Sequence, residues 1–267
     1  MRSEKVVFIA GASAGIGEAL AEEYARQGAA VFLAARRLER LEALASKLRN
    51  QGARVGLAAM DVSDTASVDA AVKAATDQFG RLDVMVANAG FGVAGQFEEL
   101  SLEDYRRQFE TNIFGVLRCA KAALPWLKKS QGSLCNIGSV NGWIALGGGS
   151  PYGMSKHAVR ALSDSLWQEF HAYGVSVTHI SPGFIDTEIR RVDNYGQFKP
   201  VAKDPIPAWL RASPEHAARV IRRAISARKR EKSITGHGWL VIRLVRYFPW
   251  FSFWLIKSLR ISGRKQP

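Results

Sequence analysis

Tyr152 and Lys156 are the residues whose types and spacing most directly suggest chemistry. A spacing of four residues places both side chains on one face of a helix. A free phenol has a pKa of about 10, so it transfers protons poorly near neutral pH unless positive charge lies beside it. Lys156 supplies such a charge, and Ser139 lies at the end of a predicted strand. The three side chains predict general acid–base catalysis at an oxygen atom.

A glycine-rich turn near the N-terminus predicts a site for a phosphorylated ligand. The turn reads Gly11-Ala12-Ser13-Ala14-Gly15-Ile16-Gly17, after an apolar strand pattern and before a helical one. Glycines let the backbone turn sharply and approach a pyrophosphate, whose charge is favoured at the helix N-terminus. Because a strand precedes the turn and a helix follows it, we interpret it as a dinucleotide-binding turn rather than a tight turn alone.

The end of the second predicted strand indicates which dinucleotide is bound. NAD-selective enzymes usually place an acidic residue there, on the ribose hydroxyls of the adenosine. This chain has Arg36 and Arg37 instead. Guanidinium groups form charge-assisted and often bidentate bonds to phosphate, so both residues favour the 2′-phosphate of NADP(H), with the Ser13 hydroxyl as an additional donor. The alternative is that one of the two arginines only faces solvent.

Two further strand ends carry short motifs that fit the same ligand. Asp61-Val62 follows the third predicted strand, and Asn88-Ala89-Gly90 follows the fourth. In a dinucleotide fold, Asp61 suits the adenine amino group and Val62 packs against the adenine ring. The Asn-Ala-Gly turn lets the backbone lie against the nicotinamide ribose. Neither motif is specific by itself.

The elements that must position these residues alternate between short apolar runs and segments of helical period. This alternation produces right-handed βαβ units and a parallel sheet covered on both faces, with the ligand crevice at the carboxyl ends of the strands. We therefore predict one α/β domain over residues 1–237, with a doubly wound, Rossmann-type parallel sheet. The predicted strands are Val6–Ala10, Ala30–Ala34, Val55–Met60, Leu82–Ala87, Ser133–Ile137, Val175–Ile180 and the short Ser233–Thr235. The predicted helices between them are Gly17–Gln27, Arg40–Asn50, Ser67–Gly80, Leu102–Lys129 and Ser155–Tyr173.

The composition is that of a folded protein with one unusually basic segment. Of 267 residues, 47% are hydrophobic and 23% are charged, which excludes disorder as the main state. Residues 1–200 contain 22 Lys and Arg against 21 Asp and Glu, whereas residues 201–267 contain 15 against 3. Nearly all of the net charge of +13 therefore lies in the last quarter, and we expect no nucleic-acid partner.

The cysteines and the N-terminus suggest a reducing, cytoplasmic location. Cys119 and Cys135 lie among apolar residues and lack the spacing of a zinc site or a disulfide framework. We expect buried thiols and no bound metal. The first apolar run, Val6–Ala10, is shorter than the roughly 7–15 residues of a signal-peptide core.

Taken together, these motifs resemble the short-chain dehydrogenase/reductase family. The resemblance covers about residues 4–235, in the family's order and spacing. It rests on the glycine-rich turn, Asn88-Ala89-Gly90, Asn112 in Thr-Asn-Ile-Phe-Gly-Val, Ser139 and Tyr152-Gly-Met-Ser-Lys156. The segment Pro182-Gly183-Phe184-Ile185-Asp186-Thr187 matches the one that contacts the nicotinamide carboxamide in the family, usually through the threonine. Ala10 departs from the family, which commonly has Thr there to buttress the loop, and we expect this loss to cost little.

The resemblance implies a hydride-transfer enzyme in which Tyr152 protonates a carbonyl oxygen or deprotonates an alcohol. Ser139 would hydrogen-bond the developing oxyanion, and Lys156 would hold the ribose and lower the pKa of Tyr152. Asn112 would position a water that relays protons to Lys156, or would be a helix polar group bonded locally. The resemblance also implies NADP(H) as cofactor and a homodimer or homotetramer. The implied cofactor-binding residues are Gly11, Ser13, Ala14, Gly15, Ile16, Gly17, Arg36, Arg37, Asp61, Val62, Asn88, Ala89, Gly90, Tyr152, Lys156, Pro182, Gly183, Ile185 and Thr187.

The segment that follows these motifs occupies the family's substrate-lid region, residues 188–212. Its prolines, Pro200, Pro205 and Pro207, predict an irregular, mobile cover. Ser213-Pro214-Glu215 then predicts a helix start, with Ser as the cap and Pro in the first turn. We expect that helix to end in Arg228-Lys229-Arg230.

Residues 238–267 form a basic, aromatic extension that the family fold does not need. Tyr247–Ile256 carries no charge, but this run is much shorter than the roughly 20 residues that span a bilayer as a helix. On one continuous helix, Arg243, Arg246, Lys257 and Arg260 would share an arc of about 100°, with aromatic and aliphatic residues on the rest. That layout is typical of an amphipathic helix lying on anionic lipid, kinked or split at Pro249. We expect residues 238–261 to dock on a membrane, and a hydrophobic oligomer interface is the rival interpretation.

The leading hypothesis is an NADPH-dependent reductase of a lipophilic ketone or aldehyde, such as a sterol-like, retinoid-like or long-chain 3-oxo lipid. It would be cytoplasmic and peripherally bound to a membrane from which its substrate enters. The same chemistry run as an alcohol or hydroxysteroid-type dehydrogenase is the nearest alternative. A non-catalytic NADPH-binding scaffold with a partner-recruiting tail is an alternative of another class.

Overall fold

The computed structural model describes residues 4–199, 204 and 206–258. Its strands form one parallel sheet in the order β3-β2-β1-β4-β5-β6-β7, with helices on both faces. This architecture confirms the doubly wound, Rossmann-type α/β fold. The strands are β1 Val6–Ala10, β2 Ala30–Ala35, β3 Val55–Ala59, β4 Val84–Ala87, β5 Ser133–Ile137, β6 Ser176–Ser181 and β7 Glu231–Ser233. The helices are α1 Gly15–Arg26, α2 Leu38–Asn50, α3 Thr65–Phe79, α4 Leu102–Phe109, α5 Gly115–Ser130, α6 Ser150–His171, α7 Pro214–Ser226, α8 Gly236–Tyr247 and α9 Pro249–Ser258.

The sheet separates two hydrophobic layers. Along β1, Val7 and Ile9 face the layer that holds α1, α2 and α7, whereas Val6 and Phe8 face the layer that holds α3, α5 and α6. Successive side chains of a strand point to opposite faces, so a strand covered on both sides must be apolar throughout. This requirement explains why the strands were visible in the sequence as short uninterrupted apolar runs.

The segment predicted as one helix over Leu102–Lys129 has a more complex structure. It begins as α4, which Ser101 caps by accepting a hydrogen bond from the Asp104 backbone N–H. A π-helical turn, Glu110–Phe114, then joins α4 to α5. The extra residue of a π-turn changes the direction in which its side chains point, and such turns are frequent at functional sites. Asn112 lies in this turn.

The last quarter follows the predictions in part. Ser213 caps α7, since its Oγ accepts a hydrogen bond from the His216 N–H at 3.2 Å. α7 ends at Ser226, before the predicted basic terminus. The described part of the lid region is irregular, with short 3₁₀ turns at Glu188–Arg191 and Ala208–Leu210. Pro200 and Pro205 lie outside the described residues.

The C-terminal extension contains a pair of helices, the split arrangement that was predicted at Pro249. α8 and α9 meet at Phe248 with a bend of 120°, as the proline at position 249 predicts. The single arc predicted for the basic residues is therefore wrong: Arg246 turns back to pair with Glu231, whereas Arg243 stacks over Trp239. Arg260 lies outside the described residues. The predicted boundary between residues 237 and 238 falls inside α8, whose Gly238 and Ile242 are buried.

A helix needs about 20 predominantly apolar residues to cross a bilayer. None of the described helices is by itself long and apolar enough to do so. α8 and α9 reach the necessary length and composition only when they are counted together across their bend.

Candidate active site

The glycine-rich turn is closed against the turn that follows β4. Gly11 has φ +79°, and the Asn88 Nδ2 donates a hydrogen bond to its carbonyl oxygen at 3.0 Å. A Cβ at Gly17 would lie 2.1 Å from the same carbonyl oxygen, so only glycine fits there. The start of α1 therefore lies close against the glycine-rich turn, and the first N–H groups of a helix are the donors that a pyrophosphate site requires. The residues present fit a dinucleotide in this cradle.

Lys156 lies one turn after Tyr152 on α6, as the spacing predicts. Its Nζ is buried, donates a hydrogen bond to the Ile137 carbonyl oxygen at 2.9 Å, and lies 5.7 Å from the centre of the Tyr152 ring. Burial lowers the pKa of Lys156 to about 8. The side chain is therefore still mainly an ammonium at neutral pH, which is the state that favours ionisation of a neighbouring phenol.

Ser139 follows β5 and begins a 3₁₀ turn, Val140–Gly142. Its Oγ accepts a hydrogen bond from the Asn141 N–H at 3.1 Å, which leaves the hydroxyl hydrogen to donate. The turn packs directly on α6, because a Cβ at Gly142 would lie 2.7 Å from the Lys156 carbonyl oxygen. The turn after Ser139 and the helix that carries Tyr152 are thus packed directly against each other.

Asn112 connects the loop after β4 to α6. Its Oδ1 accepts from the Phe91 N–H at 3.1 Å, and its Nδ2 donates to the Phe91 carbonyl at 3.0 Å and to the Ser155 Oγ at 3.2 Å. These bonds run to segments far away in the sequence, so the side chain is not merely bonded within its own helix. The geometry gives Asn112 a positioning role, and a water relay through it stays a prediction.

The two arginines predicted for the 2′-phosphate have different environments. Arg37 Nε and Nη2 donate to the Ser13 Oγ at 3.2 and 3.0 Å, so this pair of predicted phosphate ligands lies together. The charge of Arg36 affects Asp61, and the predicted contact of Arg36 with the 2′-phosphate stays a prediction. Partial burial tends to raise the pKa of that carboxyl, but hydrogen bonds from Ser63 and the charges of Arg36 and Arg118 lower it overall.

The adenine side of the site is made by the chain after β3. The Asp61 Oδ1 accepts hydrogen bonds from both the backbone N–H and the hydroxyl of Ser63, at 2.9 and 2.6 Å. Val62 is buried against the start of α5, where a Cβ at Gly115 would lie 2.9 Å from the valine Cγ2. The predicted contacts of Asp61 and Val62 with adenine stay predictions.

The segment Pro182–Thr187 closes over the glycine-rich turn and contacts α8. A Cβ at Gly15 would lie 3.0 Å from the Thr187 Cγ2, which places the predicted carboxamide ligand beside the cradle. The neighbouring Phe184 stacks on His237 of α8, with ring centres 5.4 Å apart. Ile185 is buried and pairs with Ala212. The first turn of α8 therefore packs directly on the predicted nicotinamide segment.

Sequence reasoning missed three contributors to this region. Glu188 forms ion pairs with Arg37 and Arg40 at 3.0 and 2.9 Å, and His237 packs against Phe184 as described above. Arg40 lies in the first turn of α2, three residues after Arg37, so its closeness to the end of β2 could have identified it as a further guanidinium at this corner. No local signal marks Glu188 or His237, because both reach the site through the tertiary fold.

Comparisons with known proteins agree with this geometry. Residues 5–197 match the family described as short chain dehydrogenase. An uncharacterised oxidoreductase of Staphylococcus epidermidis is 36% identical over 197 residues, which are 73% of this chain and 84% of the relative. An alcohol dehydrogenase from the archaeon Thermococcus sibiricus, complexed with 5-hydroxy-NADP, has 34% identity and a TM-score of 0.77, covering 86% of this chain and 96% of its own. A short chain dehydrogenase/reductase from Burkholderia phymatum in complex with NAD has 25% identity and a TM-score of 0.82, covering 99% and 97%.

Proposed function

The chain belongs to the short-chain dehydrogenase/reductase family, an oxidoreductase family of CH–OH and C=O groups, and on that premise we propose that it is an NADPH-dependent reductase of a lipophilic ketone or aldehyde. The observation that carries the proposal is that the turn begun by Ser139 packs on α6, the helix on which Tyr152 and Lys156 lie one turn apart. This grouping can donate a proton and stabilise negative charge at one oxygen atom. A scaffold without catalysis would not need it.

The chain's own residues account for the proton chemistry of the reaction. A nicotinamide coenzyme bound in the cradle supplies the hydride to the carbonyl carbon. Tyr152 donates a proton to the carbonyl oxygen, and the Ser139 hydroxyl donates a hydrogen bond to the same oxygen as its negative charge develops. The Lys156 ammonium, held beside the phenol ring, favours the phenolate that remains. In the oxidative direction the same groups remove the alcohol proton.

A preference for NADP(H) is supported by charge at the adenosine corner. Arg37 and Ser13 already lie within hydrogen-bonding distance of each other, and Arg40 adds a second guanidinium nearby. A phosphate between such donors forms short, charge-assisted hydrogen bonds. Among the structural neighbours, one was solved with 5-hydroxy-NADP and another with NAD, so the fold accepts both kinds of coenzyme.

The test of the proposed function is coenzyme oxidation by the purified full-length chain. We expect NADPH to be consumed with at least one member of a panel of sterol, retinoid and long-chain 3-oxo carbonyls, and more slowly with short polar aldehydes. Turnover of the matching alcohols with NADP⁺ would instead support the oxidative alternative. NADPH binding without turnover of any carbonyl or alcohol would favour the scaffold and contradict the proposal.

We also propose that the face formed by α8 and α9 docks on an anionic lipid surface. Its aromatic residues are unusually exposed, since Trp239, Trp250 and Trp254 retain 52%, 74% and 57% of their accessible surface. Several exposed tryptophans on two successive helices of a folded chain indicate an interaction surface. Arg243 and Lys257 are exposed on the same helices, and residues 236–258 contain no Asp or Glu. Tryptophan beside basic residues suits the headgroup region of a negatively charged membrane.

Vesicle co-sedimentation tests the docking surface. We expect full-length protein to pellet with vesicles containing phosphatidylserine, and Trp250→Ala to weaken binding about 10- to 100-fold because it removes about 1.5–3 kcal/mol of apolar burial. The matched control is Trp209→Ala, which removes an equally exposed tryptophan outside α8 and α9. Wild-type protein that stays in the supernatant would rule out membrane docking. A Trp250→Ala variant that changes the oligomeric state would instead identify the face as a contact between copies of the chain.

A further inference from the structure

Glu188 brings a carboxylate to the coenzyme's adenosine corner from a distant part of the sequence. It begins the 3₁₀ turn that follows Thr187, the residue lying against the glycine-rich turn. Its Oε2 accepts a hydrogen bond from Arg37 Nη1 at 3.0 Å, and both of its oxygens accept from Arg40 Nη1 at 2.9 Å. No acidic residue directly follows β2 at this corner. The chain after β6 nevertheless places the carboxylate of Glu188 there.

Arg37 is shared between two kinds of partner. Its Nε and Nη2 face the Ser13 hydroxyl, while its Nη1 faces Glu188. Partial burial tends to raise the pKa of Glu188, but the hydrogen bonds and charges of Arg40 and Arg37 outweigh it and lower the pKa overall. Glu188 is consequently ionised at neutral pH. Its carboxylate binds the guanidinium groups of Arg37 and Arg40, which are the groups that a 2′-phosphate would also bind.

The two coenzymes meet this carboxylate differently. The 2′-phosphate of NADP(H) is an anion, so it must share Arg37 and Arg40 with Glu188 and is repelled by it. The ribose of NAD(H) carries neutral hydroxyls at this position, which can donate hydrogen bonds to a carboxylate. A carboxylate here weakens binding of the first coenzyme and does not weaken binding of the second.

We propose that Glu188 is a specificity-determining residue of the coenzyme site, whose carboxylate competes with a 2′-phosphate for Arg37 and Arg40 and so narrows the preference for NADP(H) over NAD(H). This inference rests on the proposed function, since it requires that the cradle bind a nicotinamide coenzyme. It adds that the size of the preference for NADP(H) is set in part by one side chain that lies outside the glycine-rich turn and the end of β2.

Coenzyme titration of the Glu188→Gln variant tests the inference without any substrate. Fluorescence titration of the full-length chain gives separate dissociation constants for NADPH and NADH. We expect Glu188→Gln to bind NADPH about tenfold more tightly, as one competing, partly exposed charge-assisted interaction is lost, while NADH binding does not improve. The matched control is Glu39→Gln on the exposed first turn of α2. It also removes one negative charge near Arg37 and Arg40, but it leaves the ion pairs of Glu188 with these two arginines in place.

A second variant identifies the route of the effect. In the Glu188→Gln background, Arg37→Ala should abolish the gain in NADPH affinity, since Arg37 is the donor set free. An unchanged ratio of NADPH to NADH affinity in Glu188→Gln, or a shift toward NADH, would overturn the inference while leaving the proposed function intact. An equal gain in Glu39→Gln would also overturn it, as the effect would then be one of net charge. Wild-type protein that binds neither coenzyme would overturn both.

Discussion

Replacing Tyr152 with phenylalanine is expected to lower kcat by about three orders of magnitude, because a positioned general acid contributes roughly 10²–10⁴-fold. Phenylalanine keeps the ring that lies 5.7 Å from the Lys156 Nζ and removes only the proton that the carbonyl oxygen must receive. The loss should appear mainly in kcat and much less in coenzyme affinity, since phenylalanine keeps the ring, and the rest of the cradle and Lys156 are unchanged. Stopped-flow NADPH oxidation with the best carbonyl of the panel, together with a coenzyme titration, measures both quantities.

Tyr105→Phe is the matched control for this experiment. The Tyr105 hydroxyl hydrogen-bonds the Ser150 Oγ at the first residue of α6, at 2.6 Å, so its loss touches the same helix without touching the predicted acid. We expect a stability loss of about 1 kcal/mol and little change in kcat. Full activity in Tyr152→Phe would remove the phenol from the mechanism. Equal losses in the two variants would show that damage to α6, and not a missing proton donor, is responsible.

The fold was predictable from the sequence because its main signal is local. A strand buried on both faces must be apolar at every position, and β1 and β5 coincide with their predicted ranges. The same reasoning located Ser139, Tyr152 and Lys156, since a strand end and a helical spacing of four determine where these side chains lie. Only the π-turn around Asn112 interrupts a helix that periodicity had treated as continuous.

Contacts made through the tertiary fold were not predictable in this way. Arg36 and Arg37 could not be distinguished as phosphate ligands in the sequence. In the structure Arg37 lies beside Ser13, whereas the charge of Arg36 helps to lower the pKa of Asp61. Glu188 binds Arg37 although the two residues are 151 positions apart in the sequence, and no sequence motif indicates that they are in contact. The bend at Pro249 was predicted, but a helical wheel cannot give the direction of the helix that follows it. Because α9 is turned by 120° from α8, the basic residues do not share the single arc that was predicted.

A buried polar cluster lies beneath the catalytic strand end and was also missed. His179 of β6 is 2% exposed and faces Gly138, the residue before Ser139, where a Cβ would lie 2.2 Å from the imidazole. Its Nδ1 lies 3.4 Å from the Ser163 Oγ of α6. Burial, and then the positive charges of Lys156 and Arg160, lower the pKa of His179 to about 3. The imidazole is therefore neutral in the folded protein, next to the lysine that must stay charged.

Acid should destabilise the fold through His179. In the unfolded chain its pKa is close to the ordinary 6.5, so between pH 6.5 and about 3 the unfolded state binds a proton that the folded state does not. The free energy of unfolding should consequently fall by about 1.4 kcal/mol per pH unit below pH 6.5 from this group alone, or roughly 2 kcal/mol by pH 5. Above pH 6.5 both states carry a neutral imidazole, and the effect disappears. Urea unfolding at a series of pH values from 8 to 5 measures the slope.

His179→Gln isolates this contribution because glutamine does not titrate. We expect the variant to lose most of the slope below pH 6.5, whatever its absolute stability at pH 8, because linkage depends only on the difference in bound protons. The matched control is the same substitution at the exposed His216. If His179→Gln kept the wild-type slope, then His179 would be protonated in the folded state, and a second cation would stand beside Lys156. Such a charge would further lower the pKa of the lysine and weaken its effect on Tyr152, so the acid slope of stability and the acid–base chemistry of the site depend on the same neutral imidazole.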